Sequence, residues 1–136
     1  MNRFVLDASM ALSWCFEDES DALAELVLDS LTESEALAPA IWFPEVVNGL
    51  LAAERRKRIT AVRVDECLSV IESLPVVTTI GADSFDMLRL ARQTGLSAYD
   101  ASYLELAMRH ALPLATRDRA LRLAAEKVGV AMFQDR

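Results

Sequence analysis

Four acidic residues of this sequence sit where carboxylates can do chemistry: Asp7, Glu45, Asp100 and Asp118. Asp7 closes an apolar run, Phe4-Val5-Leu6, that reads as a strand covered on both faces, like the inner strand of a parallel sheet. Ligands of open α/β sheets gather beyond the carboxyl ends of the strands, where Asp7 would point. Asp118 follows another short strand, Leu114-Ala115-Thr116, and Glu45 falls in the first turn of a helix. Asp100 heads a helical stripe continued by Leu104, Ala107, Met108 and Ala111, so it leads an apolar face where a carboxylate needs a partner. Glu45 is followed by Asn48 and Gly49, a small polar strip unlike the Val46/Leu50 side of the same helix. Plainer roles are open to each acid. Asp7 and Asp118 can be helix N-caps, Glu45 can complement a helix dipole, and Asp100 can complete a capping box with Ser97.

If the four converge, they repel one another. Two carboxylates about 4 Å apart cost roughly 4 kcal/mol at an effective dielectric near 20. The only lysines, Lys57 and Lys127, are not placed to relieve this. Such a cluster takes up protons or binds a divalent cation, and an all-oxygen site at a cleft mouth suits Mg²⁺ or Mn²⁺. These ions acidify a water they bind and clamp a phosphate during in-line displacement.

The elements that must position these groups follow from periodicity. Helical stretches are expected from Met10 to Phe16, from a Ser20 cap through Leu23, Leu26, Val27 and Leu31, and from Pro44 to Arg58. Others run from Ala61 to Ser73, Asp83 to Gly95, Ser97 to Ala111 and Asp118 to Gly129. Between them lie short strands at Phe4–Leu6, Ala36–Ala38, Val76–Ile80 and Leu114–Thr116, with an edge strand at Val130–Phe133. Strands alternating with helices give an α/β sandwich around a mostly parallel sheet. Gly49, alone among the four glycines, falls inside a helix, which points to close packing, with a second subunit as one candidate neighbour.

At 136 residues, 53% of them hydrophobic, the chain (1–136) reads as one ordered domain. Cys15 and Cys67 form no CxxC pair and read as two buried thiols of a reducing compartment. No signal peptide or membrane-length apolar segment is visible, so a soluble cytoplasmic protein is expected. The net charge of −7 excludes nucleic-acid binding by bulk attraction, though a local arginine patch can still hold phosphates, and an acidic surface suits a basic partner. Candidates for that patch are Arg55 and Arg56, in the run Arg55-Arg56-Lys57-Arg58, and Arg117; the run can equally complement a helix C-terminus. His110 is the only histidine, which argues against a charge-relay triad, and no GxGxxG or Walker A pattern occurs.

Four stretches, in this order and spacing, resemble the PIN-domain ribonucleases, specifically VapC-type toxins of toxin–antitoxin pairs. They are Val5-Leu6-Asp7-Ala8-Ser9, Pro39-Ala40-Ile41-Trp42-Phe43-Pro44-Glu45-Val46-Val47-Asn48, Leu96-Ser97-Ala98-Tyr99-Asp100-Ala101 and Leu114-Ala115-Thr116-Arg117-Asp118. The resemblance implies a three-layer α/β/α sandwich with strand order 3-2-1-4-5 and the Asp7 strand at its centre. It implies Mg²⁺- or Mn²⁺-dependent cleavage of single-stranded RNA, leaving a 5′-phosphate and a 3′-hydroxyl. Asp7, Asp100 and Asp118 match metal-ligand positions, Glu45 an acid acting through water, and Ser9 and Thr116 supporting hydroxyls, with Asn48 beside them. Arg117 stands where an apolar residue is usual. The partners implied are RNA, a cognate antitoxin and a second copy of the chain.

Other classes fit less well. A phospho-accepting receiver domain needs neighbouring acids after its first strand and a late lysine; Asp7 has no adjacent acid, and Lys127 lies within a helix. A catalytically silent binding module and a PIN nuclease without an antitoxin remain as alternatives.

Overall fold

The computed structural model describes residues 2–81 and 83–134. Its central strand, β1 (Arg3–Leu6), pairs in parallel with β2 (Glu35–Pro39) on one side and with the two-residue β4 (Leu114–Ala115) on the other. Beyond β2 lies β3 (Val76–Thr79), again parallel, giving the order β3-β2-β1-β4 among the described residues. The expected fifth strand is reduced to one parallel bridge, Leu114 with Met132, at the expected place beside β4. Phe4, Val5 and Leu6 are all buried, so β1 is covered on both faces as three consecutive apolar residues demand. Each such side chain contributes about 1.5–3 kcal/mol of burial. Edge strand β3 is half exposed, and Ile80, expected within it, lies beyond its end and is 95% exposed.

Helices flank the sheet in the three-layer arrangement: α1 (Ala8–Ser13), α2 (Ala22–Ser30), α3 (Trp42–Arg55), α4 (Ala61–Ser73), α5 (Ser84–Thr94), α6 (Ala98–His110) and α7 (Arg119–Val128). α6 packs over β1, β2 and β4. Local chemistry sets the boundaries. Gly95 and Gly129 end α5 and α7 in the left-handed region that glycine adopts without strain. Asp21, rather than Ser20, caps α2, accepting from the amide of Ala24. Val27 and Leu31 of the expected α2 stripe are buried, but Ala24 turns inward in place of Leu23 and Leu26, which are partly exposed.

Two further expectations are corrected. Cys15 and Cys67 are joined in a disulfide, their Cα atoms 5.9 Å apart, where two separate thiols were expected. The residue just past α1 and one on α4 lie 52 positions apart in sequence, and only tertiary packing brings them together. Gly49 is explained within the chain: a Cβ there would come 2.5 Å from Leu12 Cδ1, so the glycine lets α1 lie close against α3. It supplies no evidence for a second subunit.

Candidate active site

Asp7 occupies the N-cap position of α1, yet its side chain makes no capping hydrogen bond. Its Oδ2 accepts instead from the hydroxyls of Ser9 and Thr116, each at 2.6 Å. The carboxylate is 4% exposed. Burial raises its pKa above the ordinary carboxylate value; the two hydroxyls oppose the shift, and the charge of Asp118 adds to it. The hydroxyls also tie the site to the backbone, since the amide of Arg117 donates to Ser9 Oγ (3.1 Å) and that of Asp118 to Thr116 Oγ1 (3.0 Å). The ends of β1 and β4 are thereby laced together around one carboxylate.

Glu45, in the first turn of α3, accepts a 2.6 Å hydrogen bond from the Tyr103 hydroxyl of α6. Burial raises its pKa, Tyr103 partly opposes this, and the charges of Asp7 and Asp100 add to the rise. Asp100 is half-buried near the start of α6, where its amide donates to the Ser97 hydroxyl. Its pKa is raised by burial and then by the charges of Asp118 and Asp7. Asp118 caps α7, with Oδ1 accepting from the amide of Leu121. The structure thus brings the four acids within electrostatic reach of one another, every pair interacting except Glu45 with Asp118. Asp7 and Asp100 occupy the middle of this set.

The plainer roles divide. Asp118 is an N-cap as well as a member of the cluster, and Ser97 caps α6 with Asp100 in its first turn. Asp7 is no side-chain cap. Asn48 is exposed and makes no side-chain hydrogen bond among the described residues. Arg55 is exposed in the last turn of α3. Arg56 is the C-cap and lines a cleft shared with Ser9 and Asp118. Arg117 is fixed by Asp21 at 2.5 Å. Tyr103 was missed from sequence. Its signal was available: it lies at i+3 from Asp100, on one helical face, and a buried tyrosine hydroxyl needs a partner.

Whether a divalent cation suits these residues is a question of donor chemistry. The cluster offers oxygen only, and none of its four carboxylates has a basic partner among the described residues. Among those residues no three metal-ligating side chains form a closed group. Mg²⁺ asks for no such cage; it keeps several waters and is held by one or two carboxylates together with substrate phosphates. The residues fit an ion of that kind.

A parallel sheet in the order 3-2-1-4 between helical layers, with acids beyond neighbouring strand ends, defines the PIN-like α/β/α class. The sequence goes further. The pattern of the PIN domain family matches residues 4–127, and the chain belongs to that family. PIN domains are generally nucleases. Among solved structures the chain is similar to PAE2754 from Pyrobaculum aerophilum, with a TM-score of 0.65 and 23% identity, covering 90% of this chain and 79% of that one. It is also similar to FitAcB from Neisseria gonorrhoeae, with a TM-score of 0.63 and 18% identity, covering 96% of each chain. These likenesses bear on the fold. No curated protein matches the sequence.

Proposed function

We propose that the chain is a Mg²⁺- or Mn²⁺-dependent endoribonuclease and the toxin of a toxin–antitoxin pair, with Asp7, Glu45, Asp100 and Asp118 as its catalytic acids. The observation that carries this reading is Asp7. It is a buried carboxylate with no basic partner among the described residues, held by two hydroxyls and facing the charge of further acids. Burial without a counter-charge is costly, and a bound cation removes the cost.

Asp7, Asp100 and Asp118 would hold the ion, with Glu45 acting through water. When bound, the ion supplies an acidified water and neutralises charge on the phosphate undergoing displacement. The chain's own residues fix the geometry. Ser9 and Thr116 keep the Asp7 carboxylate in one orientation by occupying Oδ2. Tyr103 does the same for Glu45 through Oε1, which would leave the other oxygen able to accept a proton from the attacking water, while the leaving 3′ oxygen takes a proton from solvent as its bond to phosphorus breaks.

A cognate antitoxin fits the acidic surface of a chain with net charge −7 as a basic partner segment. A homodimer now draws support from exposed Ile80, Phe85 and Tyr99 around the β3–α5 turn and the start of α6. Light scattering after size exclusion would measure it. A cytoplasmic location belongs with the same reading; no helix among the described residues is long and apolar enough to cross a membrane.

The test is cleavage of single-stranded RNA by the purified chain. Activity is expected with Mg²⁺ or Mn²⁺, absent in chelator, and absent in Asp7→Asn and Asp100→Asn variants whose circular dichroism matches wild type. Full cleavage in chelator would overturn the metal, and full cleavage by Asp7→Asn would overturn the site.

A further inference from the structure

Among the described residues, Arg56 lines a cleft beside the acids and takes part in none of the ion pairs. The cleft, of about 570 Å³, joins Ser9 and Asp118 to Arg56, Arg58 and Arg117. Its floor is the face of α3 formed by Gly49, Ala52 and Ala53, with Leu12 of α1 packed over Gly49 and Phe16 at the edge. Gly49, Ala52 and Arg56 recur every three or four residues, so this face runs along the helix, away from Glu45 at its start. From Glu45 to Arg56 the axis advances roughly 16 Å at 1.5 Å per residue.

Two of the three arginines are already engaged. Arg58 is gripped by Asp18 and Glu19 and lies over the Phe16 ring, 4.2 Å from its centroid. Lys57, with φ 60°, turns the chain out of α3 so that Arg58 can make this contact. Arg117 is held by Asp21. Arg56 is exposed and has no acidic partner among the described residues.

We propose that this cleft carries the RNA strand on one side of the scissile bond and that Arg56 contacts a backbone phosphate there. The proposal rests on the ribonuclease reading and adds to it the path of the substrate. A guanidinium fork matches phosphate oxygens, and the short side chains of Ala52 and Ala53 leave room beside Arg56 for a sugar–phosphate chain. Arg58 and Arg117 form walls whose positive charge is largely offset by their acidic partners, which leaves Arg56 as the phosphate contact. The cleft also holds Glu19 and Asp118; Glu19 is neutralised by Arg58, and Asp118 belongs to the acid cluster.

The experiment measures binding separately from cleavage. A fluorescein-labelled single-stranded RNA oligonucleotide is titrated in chelator against the full chain and its Arg56→Ala, Arg56→Glu, Arg56→Lys and Arg3→Ala variants. Arg3 lies at the opposite end of β1 from Asp7 and serves as the control. Arg56→Ala is expected to raise Kd about 3- to 10-fold and to reduce the slope of log K against log salt by about 0.7, the share of one single-strand phosphate. Arg56→Glu is expected to weaken binding further, and Arg56→Lys to recover part of it. With metal present, Arg56→Ala should raise KM and leave kcat unchanged, because it touches no reacting atom. Equal Kd and salt slope for Arg56→Ala and Arg3→Ala would overturn the path while leaving the nuclease reading intact. Failure of the wild-type chain to bind or cleave RNA at all would overturn the nuclease reading itself.

Discussion

Asp7 and Asp21 are both aspartates at helix starts, and they behave in opposite ways. Asp21 is exposed, caps α2 and pairs with Arg117, so its pKa is lowered by the Ala24 amide first and the guanidinium second. Asp7 is buried, caps nothing with its side chain and faces other acids, so its pKa is raised. The same contrast separates two regions. Around the α1–α2 loop, Asp18, Glu19 and Asp21 each have an arginine. At the strand ends, four carboxylates have none among the described residues. Compensated charge stabilises the folded loop there; clustered uncompensated charge is more typical of functional sites than of structural ones.

The contrast breaks most sharply on activity. Asp7→Asn or Asp100→Asn should reduce RNA cleavage at least about a hundredfold, while Asp18→Asn leaves it within about twofold, as a gel-based single-turnover assay would read. Stability should move the other way. In chelator, Asp7→Asn is expected to raise Tm by a few degrees, roughly 3–6 °C, because a buried charge is removed; differential scanning calorimetry checks this. An unchanged or lowered Tm would mean that Asp7 is satisfied as it stands.

The two aspartates also carry opposite pH signatures. Asp7, Glu45 and Asp100 have folded pKa values above the unfolded ones, so the folded state binds more protons in that window. Metal-free stability should therefore rise as pH falls from neutral through those raised values, and be lost again as pH rises through them. Asp21 works in reverse: its contribution is present above the unfolded value and lost as pH falls through its lowered one. Thermal melts across pH in chelator, for wild type and Asp7→Asn, separate the two signs.

Smaller effects sharpen the picture. Tyr103→Phe leaves Glu45 Oε1 without its donor and should cost about 1–2 kcal/mol in urea unfolding. Gly49→Ala should be nearly neutral, within about 1 kcal/mol. Helix propensity gains about as much as displacing the flexible end of Leu12 costs.

Much of this was legible in the sequence because it rests on local pattern. Phe4-Val5-Leu6 ending at an aspartate, and the glycines closing α5 and α7, speak for themselves in one dimension. The positions of Asp7, Glu45, Asp100 and Asp118 followed from strand ends and helix starts, helped by the family resemblance. What stayed hidden depends on separation along the chain. The Tyr103–Glu45 contact spans 58 residues, and the Cys15–Cys67 pair spans 52, with nothing local to announce either. The partly misjudged α2 face has another cause: Leu23 and Leu26 share helical spacing with the buried Val27 and Leu31, and spacing alone does not say that Ala24 turns inward in their place.

α6 brings Asp100 and, one turn later, the tyrosine that steadies Glu45, while it lies across three of the four strands. Half of the acidic set is thus registered to a single rigid rod. Loops around the rim can lengthen, shorten or change composition without disturbing that registration. What the periphery contacts is free to diversify while the centre stays in alignment.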